Sequence, residues 1–290
     1  MTSNLFLIAA PRSGSTQLSA WLGSHPDIGM PPIKEPNFFS QHEFPPAFVA
    51  ETRLNDVIPE RYVASRSKAE MQFAIFREPA QYDYLFEDLK TRWRLDASTT
   101  YLQCPEAPAA IAAHAPDARV ILLTRDPVAR ALSHYRLAAR IGQTTRSLRE
   151  EIDAELRGET PLPGRFLLRP SRYDAALARY RQTFDDSRRL ELTFEEMVAD
   201  IEGTLARIAA FLGIPAAGFD QGLDRQNSGD APRFRRLNVF LHRSGAKTVL
   251  RRLLPPSLKR RLKAVYFKPN TDSVDDGDTA YLRELLEVRA

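Results

Sequence analysis

Near the amino terminus the apolar positions are unbroken: Leu5-Phe6-Leu7-Ile8-Ala9-Ala10, closed by Pro11. A short run without polar alternation, stopped by a proline, fits a strand buried on both faces of a parallel sheet. A Ser/Gly/Thr loop follows, and Gln17-Leu18-Ser19-Ala20-Trp21-Leu22 then carries helical spacing that Gly23 and His25-Pro26 bring to an end. Arg119-Val120-Ile121-Leu122-Leu123-Thr124 repeats the buried-strand pattern. Asp126-Pro127 opens a helix running through Ala131, Ser133 and Tyr135, with proline at the first helical position and Asp126 suited to cap it. A third strand is expected at Leu190-Glu191-Leu192-Thr193-Phe194, and one helix from Glu195 to Leu212, closed by Gly213. Between these lie a strand end at Arg94 to Ser98, an Ala-rich helix from Pro105 to Ala115 and an amphipathic helix from Tyr173 to Phe184. Residues 26–46, rich in proline and aromatics, read as loop, and residues 47–94 mix short helical patches with charge. Strands alternating with helices, without an internal repeat, predict an α/β fold: a single domain with a central parallel sheet flanked by helices.

Beyond Gln226 the pattern turns basic and irregular, with Arg233, Arg235 and Arg236, and a basic amphipathic stretch spans Arg243 to Lys268, interrupted by Pro255-Pro256. Residues 1–240 are read as the main domain and 241–290 as a basic helical extension of it. Composition adds modest constraints. A chain of 290 residues, 43% hydrophobic, is long enough for a full enzyme core. The net charge of +4 is carried mostly by arginine, whose fork matches phosphate and sulfate oxygens. That excess fits an anionic small ligand as well as a solvated Arg-rich surface, and no nucleic-acid partner is expected. Cys104 is the only cysteine, which excludes a disulfide framework or a cysteine-based metal cluster within the chain and fits a reducing, cytoplasmic setting. The run from Leu5 to Ala10 is too short to span a bilayer and lacks the flanks of a signal peptide, so no stable membrane insertion is expected.

The strongest local chemistry is Pro11-Arg12-Ser13-Gly14-Ser15-Thr16, between an expected strand and helix. Backbone N–H groups at a helix start attract a phosphate, Gly14 permits close approach, Ser15 and Thr16 offer hydroxyls, and Arg12 offers a charged fork. The bland alternative is a Ser-rich turn capping a helix. The loop lacks the Gly-Lys pair of a Walker A motif. The second signal is the segment from Thr124 to Tyr135. Arg125 stands at the carboxyl end of an expected strand, the edge where open α/β sheets bind ligands, and Ser133 follows about two helical turns later. The alternative makes Arg125 a surface residue and Ser133 a helix filler.

Taken in order, these segments resemble the PAPS-dependent sulfotransferases (PAPS is 3′-phosphoadenosine 5′-phosphosulfate), especially the branch of heparan-type carbohydrate sulfotransferases and their bacterial relatives. Lys34-Glu35-Pro36-Asn37-Phe38-Phe39, Asp96-Ala97-Ser98-Thr99-Thr100-Tyr101 and the stretch from Leu190 to Gly213 also look typical of that family. The resemblance covers roughly residues 5 to 240. It implies a P-loop-like nucleotide-binding architecture, PAPS as donor, PAP as product, no metal, and a small-molecule or carbohydrate acceptor. By position, Arg12 matches the catalytic basic residue, Ser13, Gly14, Ser15 and Thr16 the 5′-phosphosulfate loop, Arg125 and Ser133 the 3′-phosphate contacts, and Glu35 the general base. His42 and His134 are rival bases. Two departures stand out. Ala97 occupies a position where carbohydrate-modifying relatives often carry lysine, which argues against a glycan acceptor. The adenosine-side loop is matched only loosely by Asn227 to Arg236, with Arg233 and Arg235 as its contacts. The rival functions are a P-loop-type nucleotide kinase or phosphotransferase, and a non-catalytic nucleotide or polyanion binder. A binder gains nothing from a carboxylate such as Glu35 beside an anion.

Overall fold

The uninterrupted apolar run at the start of the chain, all but its last residue, lies inside strand β1 (Ser3–Ala9), and every residue from Leu5 to Ala10 is at most 1% exposed. A computed structural model of the chain describes residues 3–52, 54–141, 143–159, 167–220, 222, 231–232, 267–268 and 274–287. After β1 come α1 (Ser15–Ser24), β2 (Ile28–Gly29), β3 (Ile33–Glu35), α2 (Pro46–Thr52), α3 (Pro59–Ala64), β4 (Met71–Phe73), α4 (Pro79–Tyr84), β5 (Trp93–Asp96), α5 (Ala107–His114) and β6 (Arg119–Thr124). The chain continues through α6 (Pro127–Ile141), α7 (Leu148–Leu156), α8 (Asp174–Thr183), β7 (Arg189–Thr193), α9 (Phe194–Ala199), α10 (Ile201–Leu212), β8 (Ala231–Pro232), β9 (Phe267–Lys268) and α11 (Asp276–Glu287). Two compact units result: Met1–Asp126 with Arg172–Asp224, and Pro127–Ser171 with Arg225–Ala290.

The first unit is built on a parallel sheet in the order β2-β5-β1-β6-β7. Alternate residues of its central strands enter opposite cores, as the period of two requires. Phe6, Ile8, Val120 and Leu122 pack with Phe39, Phe76, Tyr101, Tyr180 and Phe184 on one face. Leu5, Leu7, Ala9, Ile121 and Leu123 pack with Leu18, Trp21, Leu22, Ile208 and Leu212 on the other. Burial on both faces is why these strands read as solid apolar runs. Because all five strands run the same way, the loop after β1, Arg125 after β6 and Phe194 after β7 all emerge at one carboxyl edge.

The second unit has its own apolar cluster, in which Val128 and Ala131 of α6, Leu148 and Ile152 of α7, and Leu282 and Leu286 of α11 meet Leu167 and Leu168. Helix α7 opens on a capping box formed by Ser147 and Glu150. Arg130 is fully buried there, donating to Ser171 Oγ at 2.6 Å and Leu167 O at 2.8 Å. Among the described residues no helix is long and apolar enough to cross a membrane.

Several details depart from the sequence expectation. Residues 26–46 are not all loop: they include β2 and β3, of two and three residues, too short to carry a periodic signal. β3 pairs in parallel with β4, so Ile33 stands opposite Met71 and Glu35 opposite Phe73. Gly23 lies inside α1, which runs on to Ser24 before ending at His25. The single helix expected from Glu195 to Leu212 is two, α9 and α10, split at Asp200. Asp200 leaves helical geometry (φ −144°, ψ 88°) and its Oδ1 accepts the Gly203 N–H at 2.8 Å, an aspartate capping a new helix in preference to continuing the old one. Phe194 begins α9 and does not end β7. The boundary expected at residue 240, Arg233 and Arg235 lie outside the described residues.

A buried polar hub fixes the end of β5. Asp96 Oδ1 accepts from Ser98 N at 3.0 Å and Ser98 Oγ at 2.7 Å, and Oδ2 accepts from Tyr82 OH at 2.9 Å and Tyr101 OH at 2.8 Å. Four donors fill the capacity of a carboxylate. Ser98 Oγ in turn accepts the Asn37 N–H at 3.0 Å, and the Asn37 amide donates to Glu35 O at 2.6 Å and Ala74 O at 3.0 Å. Burial pushes the Asp96 carboxyl up to about 6, against the opposing pull of its hydrogen bonds from Ser98, Tyr101 and Tyr82.

An unfolded aspartate titrates near ~3.9, so the raised folded value makes folding take up a proton. The resulting stabilisation is fully present below about pH 4 and is lost as the pH rises through the folded value. Asp96→Asn removes it. Urea unfolding at about pH 7.5 and about pH 5 should show wild type gaining about 1 kcal/mol more than the variant at the lower pH. A constant difference between the two proteins would show that Asp96 does not titrate this way. Asp96→Ala, which strands two tyrosine hydroxyls and Ser98, should cost about 3–5 kcal/mol in the same measurement.

Candidate active site

The loop between β1 and α1 is a tight turn braced from both sides. The Ser13 N–H donates to Ala10 O at 3.1 Å, and the Ala10 N–H donates to Leu123 O of β6 at 2.9 Å. Arg12 and Gly14 both adopt left-handed backbone, at φ 76° and 87°. For arginine that conformation costs about 1–2 kcal/mol; for glycine it is ordinary. Gly14 is required for space as well: a methyl group there would stand 2.8 Å from both Met197 Cε and Phe194 Cδ2. Ser13 is fully buried, and its Oγ has no hydrogen-bond partner among the described residues. Ser15 and Thr16 form the first turn of α1, whose N-terminus no side chain caps. A tight turn, a glycine pressed from behind and an uncapped helix start make a cradle of N–H and O–H groups suited to a phosphate or sulfate.

Arg125 joins this cradle. One of its terminal nitrogens, NH1, donates to Arg12 O at 3.0 Å, and its guanidinium lies over the Phe194 ring, 4.4 Å from the centroid. The register explains the second contact. Thr124 pairs with Thr193, so the next residue on each strand, Arg125 and Phe194, leaves the sheet beside the other. Thr193 and Glu196 form the capping box that starts α9, and Glu195 Oε1 accepts the Asp126 N–H at 3.2 Å. The structure therefore brings Arg125 to the loop of Arg12, Ser13, Gly14, Ser15 and Thr16. Ser133 lies on α6 in the second unit. Its neighbour His134 is buried, with Nδ1 3.1 Å from an Arg130 terminal nitrogen, which gives that imidazole a structural partner.

Glu35, at the end of β3, is 8% exposed. Lys34 Nζ at 2.9 Å and Gln72 Nε2 at 2.7 Å both donate to its Oε1, and Thr99 Oγ1 donates to Oε2 at 3.0 Å. Three of about four acceptor positions are filled, and the open one is on Oε2. Thr99 stands three residues past the end of β5, the neighbour of β1 in the sheet, so Glu35 is tied to the same carboxyl edge as the anion loop. His42, the rival base, is exposed on the turn Phe38–Glu43. Ala97 is fully buried among apolar neighbours. The sequence did not single out Gln72, the hydroxyl of Thr99, Phe194 or Met197. Gln72 reaches Glu35 only through the β3–β4 pairing, and Phe194 reaches Arg125 only through the β6–β7 register; a residue-by-residue pattern carries neither.

Comparison with known proteins bears on the family and the fold. The model of the sulfotransferase family matches residues 4–218, more than half of the chain. Among solved structures the chain is similar to a sulfotransferase from Alicyclobacillus acidocaldarius, at 23% identity and a TM-score of 0.63, covering 99% of this chain and 96% of that one. It is also similar to the sulfotransferase domain of the curacin biosynthetic pathway, at 18% identity and a TM-score of 0.50, covering 79% and 80% of the two chains. At these identities the likeness is one of fold. No curated protein sequence matches.

Gly14→Ala tests the packed loop against a built-in control. Gly158 has a similar φ of 71° but nothing within 4 Å of an added methyl. Gly158→Ala should cost about 1–2 kcal/mol, the left-handed penalty alone. Gly14→Ala should cost about 1–3 kcal/mol more, from crowding against Met197 and Phe194. Equal losses in urea unfolding would mean that the ring and thioether yield without cost.

Proposed function

Because the chain belongs to the sulfotransferase family, we propose that it transfers the sulfuryl group of PAPS to a hydroxyl or amine of a small-molecule or carbohydrate acceptor. The observation that carries the reading is the union of the anion loop with Arg125, through the Arg12 carbonyl and the Phe194 face. One cradle for a 5′-phosphosulfate and one guanidinium beside it suit a donor with two separate anionic groups. On this reading the loop N–H groups, Ser13, Ser15 and Thr16 hold the phosphosulfate and Arg125 takes the 3′-phosphate. Ser133, with Arg233 and Arg235, would complete the nucleotide contacts on family resemblance alone.

Transfer is a loose in-line displacement in which positioning and charge stabilisation dominate, as in phosphoryl transfer. The acceptor oxygen or nitrogen forms a bond to sulfur while the bond from sulfur to the bridging oxygen breaks, and PAP leaves carrying the electron pair on its 5′-phosphate. Arg12 and the loop N–H groups stabilise the charge that grows on the bridging oxygen. As an arginine, Arg12 acts by charge and not by proton donation. Glu35 Oε2, with a single donor in Thr99, takes the acceptor proton. Lys34 and Gln72 both hold the other oxygen, which leaves the carboxylate pointed by three fixed contacts. The scheme calls for no metal. The chain's one thiol, Cys104, takes no part: it is buried, near Phe39 O and Glu106, and burial pushes it up to about 11, far from a reactive thiolate.

Four measurements test the reading. Calorimetry should show PAP binding much more tightly than ADP or AMP, since only PAP carries the 3′-phosphate; equal affinities would overturn the donor assignment. Arg125→Ala should weaken PAP by about 1.5–3 kcal/mol while the fold survives. Glu35→Gln should lower turnover of labelled PAPS, with acceptors drawn from a broad panel, by about 10²-fold or more while PAP affinity holds or rises. Near-normal turnover would transfer the base role elsewhere, to His42 first. Arg12→Ala should instead lower turnover and donor affinity together.

A further inference from the structure

We propose that Phe194 is a positioning residue for the donor site: its ring aims Arg125, and through it sets the preference for a nucleotide bearing a 3′-phosphate over one without. The proposal rests on the PAPS reading above and adds to it a residue that touches no reacting atom.

The Arg125 side chain has few restraints. Among the described residues the only hydrogen-bond acceptor for its guanidinium is Arg12 O, and its Nε is buried with no partner. One hydrogen bond leaves a planar group free to swing about that contact. The Phe194 face, 4.4 Å from the guanidinium carbon, limits that freedom: a cation over an aromatic face is attracted to the ring and resists swinging away from it. The ring is itself held in place by its neighbours. It begins α9, held by the Thr193–Glu196 capping box, and it packs against the apolar cluster beneath the sheet. It also stands behind Gly14, with Cδ2 2.8 Å from where a methyl there would lie. One side chain thus backs both the loop for the 5′ anion and the arm for the 3′ anion. A two-point ligand of fixed span is read well only when both points are held in register, because a guanidinium fork loses its geometry if its plane tilts.

The experiment uses the full chain, with PAP and ADP as probes, in wild type, Phe194→Leu and Phe194→Tyr. Leucine keeps an apolar body against Gly14 but has no π face; tyrosine restores the face. Calorimetry should show PAP affinity falling by about 3–30-fold in Phe194→Leu, with ADP affinity changing by less than about twofold. Phe194→Tyr should recover most of the PAP/ADP ratio. Urea unfolding of each variant reads packing losses separately, and a stability loss alone cannot change that ratio. Two outcomes overturn the inference: an unchanged ratio in Phe194→Leu, or proportional loss of both nucleotides, which would make the ring a mere support for the loop. Wild type failing to prefer PAP over ADP would instead remove the donor reading itself, so the two failures are distinguishable.

Discussion

The arrangement at the candidate site depends on a carboxylate that is itself no part of the chemistry. Asp96 is buried at the end of β5 and accepts four hydrogen bonds, two from Ser98 and one each from Tyr82 and Tyr101. A buried charge with fewer partners would be costly, and one with four is an anchor. Through Ser98 it fixes Asn37, which takes up left-handed backbone at φ 52° and binds the carbonyls of Glu35 and Ala74. Tyr101 carries the chain of contacts on to Tyr180 of α8, whose hydroxyl donates to its carbonyl at 2.9 Å. The peptide that presents Glu35 is therefore held by backbone contacts to Asn37 and by side-chain contacts to Thr99, Gln72 and Lys34. Asparagine suits the hub, since it tolerates the left-handed region and supplies both a donor and an acceptor.

A second constraint is direction. A parallel sheet collects the ends of its strands on one edge, and the residues with chemistry lie there or just beyond it: Arg12 to Gly14 after β1, Arg125 after β6, Phe194 after β7 and Thr99 after β5. This is the edge at which open α/β sheets bind ligands. The backbone is bent to serve it. Arg12 holds a conformation that few non-glycine residues accept, and in doing so turns its carbonyl to Arg125. Strain of this kind persists only where surrounding contacts over-determine it. Here the contacts are the Ala10–Leu123 and Ser13–Ala10 hydrogen bonds and the packing behind Gly14.

How far the site could be read from the sequence depends on how local its signals are. Gly14, Arg12 and the hydroxyls of the loop were legible because six consecutive residues between a strand and a helix carry the pattern. Arg125 was legible because it follows a solid apolar strand. Glu35 was reached by resemblance, since nothing in the spacing of residues 26–46 marks a strand of three residues. The split of α9 from α10 leaves no mark in the sequence pattern because Asp200 sits amid residues with good helical periodicity, and only its capping of Gly203 shows the break.

The sequence by itself determined the elements whose cause is local: the buried strands β1 and β6, the glycine-bearing turn and helix α1, the helix that opens at Pro127, and the left-handed stop at Gly213. Each follows from apolar runs, from proline and glycine geometry, or from both, which act over a few residues. Tertiary structure alone decided which distant side chains meet. The parallel pairing of β3 with β4 set Gln72 on Glu35, 37 residues away in the chain. The register of β6 with β7 set Phe194 under Arg125. The folding of β5 beside β1 brought Thr99 to Glu35 and buried Asp96 deeply enough to raise its pKa. These contacts arise from strand order and register, which are settled by the packing of whole faces of the sheet and not by any short stretch of sequence.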